Sequence, residues 1–253
     1  MKSVRWLLIA FVVVLCMNSV TYAQDEADAN EPKWTGQVSA GWTSSRGNSS
    51  TDTLTASAST ERRSEKDRIS AGADYGNSRQ KDTTTNQKST TEDWWRVLGQ
   101  YDYYFAPKWF GFVNGRYESD RIAKLDSRAI IGLGAGYQVV ESEPITFSVE
   151  GGLAYKSEEF TNNSPSKNDL TAQLGYKLNW QIVETVQFIN DLSYFPVIDD
   201  WADYLVTTTA ELRGNFTENL FSNFRIIYSR NATPAQGQAN SDIKYILGIG
   251  WNF

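Results

Sequence analysis

The sequence predicts an all-β fold: an antiparallel up-and-down transmembrane β-barrel of about 12 strands, following a cleaved signal peptide. Three observations point there. Two-residue alternation of apolar and polar side chains runs from Trp34 to Phe253, the connections alternate between long and short, and an aromatic residue stands near the end of almost every candidate strand.

Residues 1–23 form the first element. Lys2 and Arg5 make a positive start, Trp6 to Met17 is uncharged, and Thr21-Tyr22-Ala23 offers a cleavage site before Gln24-Asp25-Glu26, the organisation of a secretory signal peptide. An apolar run of about a dozen residues is too short to span about 30 Å of hydrocarbon. Val13-Val14-Leu15 before Cys16 lacks the small residues of a lipoprotein signal. Residues 24–33, acidic and weakly apolar, read as a flexible lead-in, and residues 34–253 as the barrel.

The strands follow in order. Apolar sets at spacing two occur at Trp34-Val38-Trp42, Leu54-Ala56-Ala58, Ile69-Ala71-Ala73-Tyr75, Trp95-Val97-Tyr101-Tyr103, Trp109-Val113-Tyr117 and Ala129-Ile131-Leu133-Tyr137. They continue at Ile145-Phe147-Val149-Leu153-Tyr155, Leu170-Ala172-Leu174-Tyr176-Leu178-Trp180, Val186-Phe188-Leu192-Tyr194, Tyr204-Val206-Ala210-Leu212, Leu220-Phe224-Ile226-Tyr228 and Ile243-Tyr245-Leu247-Ile249-Trp251-Phe253. Longer polar loops are expected at 44–50, 79–90, 121–126, 157–168, 196–201 and 231–240, and short turns near 64–66, 106–108, 141–144, 183–185 and 215–218. Trp95, Trp109, Tyr155, Tyr176, Trp180, Tyr194, Tyr228 and Trp251 share the apolar parity near strand ends, where amphipathic rings suit the two membrane interfaces. Small residues at Leu54-Ala56-Ala58 weaken one strand's lipid face, a place for a weak homo-oligomer contact; a monomer is the other expectation.

Composition narrows the function. The 253 residues include no histidine, which excludes every mechanism that needs imidazole as base, shuttle or ligand. The one cysteine, Cys16, lies in the removable segment, so no disulfide framework is expected. Removing Lys2 and Arg5 leaves 22 Lys and Arg against 30 Asp and Glu, a net charge of −8, which argues against a nucleic-acid partner. No catalytic, cofactor or metal site is expected. Asp199, Asp200 and Asp203 bring hard oxygen ligands into one loop, but their spacing matches no established calcium loop. Gly132, Gly134 and Gly136 on a strand leave interior space or ease curvature, since no helix follows for a phosphate loop.

Opposite the apolar parity, the first strands carry Gln37, Ser39, Gly41, Thr53, Thr55, Ser57, Ser59, Ser70 and Gly72, a small and almost neutral wall. Later strands place Arg96, Asp102, Arg116, Glu118, Arg128, Glu150, Lys156, Lys177, Asp191, Glu211, Arg213, Arg225, Asp242 and Lys244 inward as candidate lumen lining. Such charges are costly toward lipid and pair across a wet lumen. Fully paired they form a plug; incompletely paired they line a narrow aqueous path and set its ion preference. Asp120, Asp126 and Arg128 are expected to form a carboxylate–guanidinium cluster that pins one outer hairpin.

Two stretches carry a family likeness. Gly41-Trp42-Thr43-Ser44-Ser45-Arg46-Gly47-Asn48-Ser49 is the first; the second comprises Tyr101-Asp102-Tyr103-Tyr104-Phe105, Trp109-Phe110-Gly111-Phe112, Tyr117-Glu118-Ser119-Asp120, Leu125-Asp126-Ser127-Arg128 and Gly132-Leu133-Gly134-Ala135-Gly136-Tyr137. Together they resemble the salt-induced outer-membrane proteins of bacteria, the family called domain of unknown function 481. The ending Trp251-Asn252-Phe253 resembles the terminal aromatic signal read by the barrel-assembly machinery. The resemblance implies a bacterial outer-membrane location, lipid and assembly machinery as partners, and a role in salt or osmotic stress. The expected function is therefore a non-enzymatic outer-membrane barrel, a narrow pore or an envelope-structure protein. The alternatives are an outer-membrane lipid-modifying enzyme and a secreted lipid-binding barrel of lipocalin type.

Overall fold

An open sheet edge facing lipid is costly, because unpaired backbone N–H and C=O groups are expensive in hydrocarbon. The computed structural model describes residues 33–46, 49–82, 85–161 and 164–253 and closes the sheet into a barrel. Its strands are β1 (Trp34–Ser45), β2 (Ser49–Arg63), β3 (Asp67–Asp82), β4 (Lys88–Tyr104), β5 (Trp109–Asp120), β6 (Leu125–Ser142), β7 (Ile145–Phe160), β8 (Lys167–Val183), β9 (Val186–Pro196), β10 (Tyr204–Asn215), β11 (Leu220–Asn231) and β12 (Ser241–Asn252). Every strand pairs antiparallel with its chain neighbours, and β12 returns to β1. The expected signal peptide and residues 24–32 of the lead-in lie outside the described residues.

Short turns, for example Ser64–Lys66 and Glu184–Thr185, gather at one end with the start of β1 and the end of β12; most longer connections gather at the other. Ser64 holds its turn by donating its hydroxyl to the Asp67 carboxylate at 2.7 Å and accepting the Asp67 amide at 3.0 Å. Two expected loops are mostly strand. Pairing of β1 with β2 continues to Ser45↔Thr51, and that of β3 with β4 to Lys81↔Lys88. Ladder bonds need no apolar side chains, so the polar composition there marks a change of surroundings and not the end of pairing.

The alternation separates two surfaces. Outward side chains such as Ile131, Leu133, Leu247 and Ile249 are each more than 60% exposed, an apolar belt left largely uncovered among the described residues. Outward rings meet across neighbouring strands, with centroids 5.4 Å apart for Trp95–Tyr117 and 4.8 Å for Trp109–Tyr137, the contact geometry that aromatic pairs favour. The inward surface is not wholly polar. Phe110, Phe112 and Phe221 point inward and are buried, as are an Ile130–Ala154–Phe195–Leu205 cluster and a Trp94–Ile227–Ile246 cluster.

Candidate functional site

The lumen is built in tiers. At the turn end, rings fill it, and glycines on facing strands make the room: a Cβ on Gly136 would run into the Phe110 ring, and one on Gly250 into the Phe221 ring. Guanidinium groups lie on these rings, Arg213 at 4.6 Å from the Phe221 centroid and Arg68 at 5.6 Å from that of Phe110. Arg68 of β3 also pairs with its ladder partner Asp102 of β4 at 2.7 Å.

At mid-height, charges of opposite sign sit on neighbouring strands and bond along the register. Arg96 meets Asp74 at 2.6 Å, and Arg225 meets Glu211 at 2.7 Å while Arg213 takes the other Glu211 oxygen at 2.6 Å. Other bonds cross the lumen. Arg225 of β11 reaches Asp74 of β3 at 2.8 Å and Ser57 of β2 at 3.2 Å, past β12 and β1. Lys177 of β8 bonds Glu150 of β7 at 3.0 Å and Gln100 of β4 at 3.0 Å, and Gln100 bonds Glu150 at 2.9 Å. Arg116 of β5 bonds Glu118 at 3.0 Å and extends 3.5 Å to Thr207 of β10. Asp191 of β9 is the exception: it lies opposite Lys177 in the ladder and faces Arg96, Arg116 and Arg225, with no ion pair among the described residues.

Toward the loop end, Glu118 and Glu158 grip Arg128 from both sides at 2.5 and 2.7 Å, and fully buried Lys156 joins Glu158 at 3.0 Å to Asp169 at 3.2 Å. Lys244 of β12 spans the mouth to Asp120 of β5 at 2.9 Å. A cavity of about 90 Å³ lies here, lined by Trp94, Leu125, Phe160, Ile227, Glu118, Arg128, Asp120 and Lys244, and by the β11–β12 connection at Pro234 and buried Ala235.

Of the fourteen charges expected to line the lumen, twelve hold ion pairs inside the barrel: Arg96, Asp102, Arg116, Glu118, Arg128, Glu150, Lys156, Lys177, Glu211, Arg213, Arg225 and Lys244; Asp191 faces them without an ion pair among the described residues, and Asp242 is exposed at the mouth, where it lines the cavity. The hairpin cluster is not formed. Asp120 serves Lys244 and the amides of Ile122 and Ala123, Asp126 is exposed, and Arg128 belongs to Glu118 and Glu158. The cause is a register shift between Leu125 and Ser127, which lets both Leu125 and Arg128 face inward and throws Asp126 out. The acidic loop group is also dispersed: Asp203 accepts from Thr233 at 2.6 Å and pairs with Lys167, while Asp200 caps the Ala202 amide. Trp251 points outward, and the Phe253 backbone closes the turn end of the barrel by exchanging two 2.9 Å bonds with Gly36.

Sequence reasoning missed Arg68, Asp74, Glu158 and Asp169 as network members, and the inward rings. Parity alone locates Asp74 beside Gly72 and Phe110 opposite Trp109; the expectation that a lumen is polar hid the rings.

The family described as "Protein of unknown function, DUF481" matches residues 38–253. Among curated proteins none matches the chain. Among solved structures, the chain is similar to the NanC porin, at 8% identity and a TM-score of 0.47 over 87% of this chain and 97% of that one. It is similar to the KdgM porin at 12% identity and 0.42, over 87% and 99%. An outer-membrane channel from Pseudomonas putida F1 gives 10% identity and 0.48, over 90% and 99%.

Proposed function

The chain belongs to the DUF481 family, which is described by no activity, and from its own lumen we propose a non-enzymatic bacterial outer-membrane barrel that passes small ions through a narrow, latched path. The apolar belt with its ring pairs suits a bilayer, and the inward charges suit water. One observation carries the latch. The Arg225–Asp74 bond crosses to the β1–β3 wall, whose inward residues around Asp74 are small, and each partner holds a second ion pair, Arg225 with Glu211 and Asp74 with Arg96. Breaking that bond therefore strands neither charge, so the cost of opening stays well below that of an orphaned buried ion. The path then runs beside Ser39, Ser57, Ser59 and Gly72, with Asp191 as the charge not committed to a pair.

Single-channel recording in a planar bilayer tests this. The expected result is brief, small steps for the native chain and long-lived open steps for Arg225→Gln. Asp191→Asn is expected to move the reversal potential in a salt gradient toward anion preference. Silence from both native and Arg225→Gln barrels, with insertion shown by protease protection, overturns the conduit and leaves the second reading, a permanently filled envelope barrel, which the ring tier of Phe110, Phe112 and Phe221 favours.

The salt-stress role belongs to the same reading. Lys177, 43% exposed at its side chain, is the partner in the network most open to screening, so conductance is expected to rise more than in proportion to salt. Recognition by the assembly machinery through Trp251 and Phe253 predicts that Phe253→Ala lowers the yield of assembled barrel in the outer membrane.

A further inference from the structure

Eleven of the twelve strand junctions run long, but the closing one does not. β1 pairs with β2 over its whole length, from Trp34↔Arg62 to Ser45↔Thr51, and β12 pairs with β11 from Leu220↔Trp251 to Arg230↔Ser241. Between β1 and β12 the ladder covers only Gln37↔Asn252 to Ala40↔Ile249, extended at the turn end by the Gly36–Phe253 bonds. It stops at Gly41, where a Cβ would run into the Leu247 carbonyl oxygen, a close approach that glycine permits. Beyond it, residues 41–45 of β1 and 241–248 of β12 have no ladder partner at this junction among the described residues. The junction of β8 with β9 also breaks above Leu174↔Tyr194, but a Thr171↔Val197 bridge closes it again.

What lies on each side of the gap shows what it admits. Outside stand Trp42, Tyr245 and Leu247, each more than 60% exposed and part of the apolar belt. Thr43 and Ser45, inward by parity, are exposed as well. Directly inside, Ile246 packs with Ile227 and Trp94 in a buried apolar patch, Lys244 of the same stretch lies 5.0 Å from the Trp94 ring centroid, and Ile227 and Trp94 line the cavity at the mouth together with Asp242 and Lys244. Unpaired strand edges facing hydrocarbon are costly, whereas edges beside a wet lumen are solvated.

We propose that the loop-side half of the β1–β12 junction is a lateral portal, through which the acyl chain of a membrane lipid enters from the outer leaflet onto the Ile246–Ile227–Trp94 patch. The proposal rests on the membrane reading above and adds a sideways route to the axial one. Fluorescent labels on single cysteines, in a Cys16→Ser background, test it in vesicles of phosphatidylcholine carrying a doxyl quencher on the acyl chain. Three positions are compared: Ala56→Cys on the outward face, Ser39→Cys inward within the paired part of the same junction, and Thr43→Cys inward beyond it, with Ser45→Cys replacing Thr43→Cys if that variant fails to fold. Quenching at Ala56 and at Thr43 to a similar extent, with emission retained at Ser39, supports the portal. Quenching at Ala56 alone overturns it and leaves the membrane reading intact. Emission retained at Ala56 overturns the membrane reading and the portal with it.

Discussion

Arg128 and Asp126 are two residues apart and have opposite expected consequences. Arg128 is buried between two carboxylates, so Arg128→Ala leaves Glu118 and Glu158 facing each other's side of the lumen without their shared cation. Removing one partner of a buried pair costs about 3–5 kcal/mol when it orphans the other, and because Glu118 keeps Arg116 and Glu158 keeps Lys156 the lower end, about 3 kcal/mol, applies. The expected outcome is a loss of that order in urea unfolding of the refolded barrel. Asp126→Asn, on an exposed carboxylate outside the network, is expected to change stability by less than about 0.5 kcal/mol. Equal effects of the two substitutions would restore the hairpin cluster and sink the lumen assignment. The charge types and their inward parity were legible in the sequence; the partner of Arg128 was not, because one extra residue at Asp126–Ser127 resets which side chains share a face.

At the scale of the strands, glycine and ring positions act as pairs. Gly136 of β6 is the ladder partner of Phe110 of β5, and the missing Cβ is what lets the ring lie flat in the lumen. Gly136→Val is expected to destabilise the barrel by about 1–3 kcal/mol, as overpacking does. In a Phe110→Ala background the same substitution is expected to cost much less, and a double-mutant cycle reads the coupling directly. Additive effects would mean that the ring and the glycine are independent. Interior space at Gly132, Gly134 and Gly136 was readable from their spacing; what occupies it was not, since Phe110 lies on another strand.

For the whole molecule, the decisive surface is the outward belt. Leu133 sits on β6 with 63% of its surface exposed, between outward neighbours on β5 and β7. If that belt faces hydrocarbon, Leu133→Lys costs about 2–4 kcal/mol at mid-bilayer depth. Folding into vesicles measures it, and a cost near zero would count against a bilayer around this belt. The same substitution at Glu118, inside, is a test of pairing and not of lipid, so the two faces are separable by experiment.

Strand number, direction and, away from the register shifts, which side chains face in were set by the sequence itself, because a strand's side chains alternate and each connection here is short enough to force the next strand alongside. The small wall of β1–β3 and the charged walls that complete the lumen were legible for the same reason. Tertiary structure decided the rest: which charges meet across the lumen, how Arg225 comes to bridge Glu211 and Asp74, where rings fill the turn end, and how far β12 zips onto β1. Those contacts join residues far apart in the chain, and their partners depend on stagger and register shifts that closure imposes on all strands at once. Periodicity acts along one strand; closure acts around the barrel.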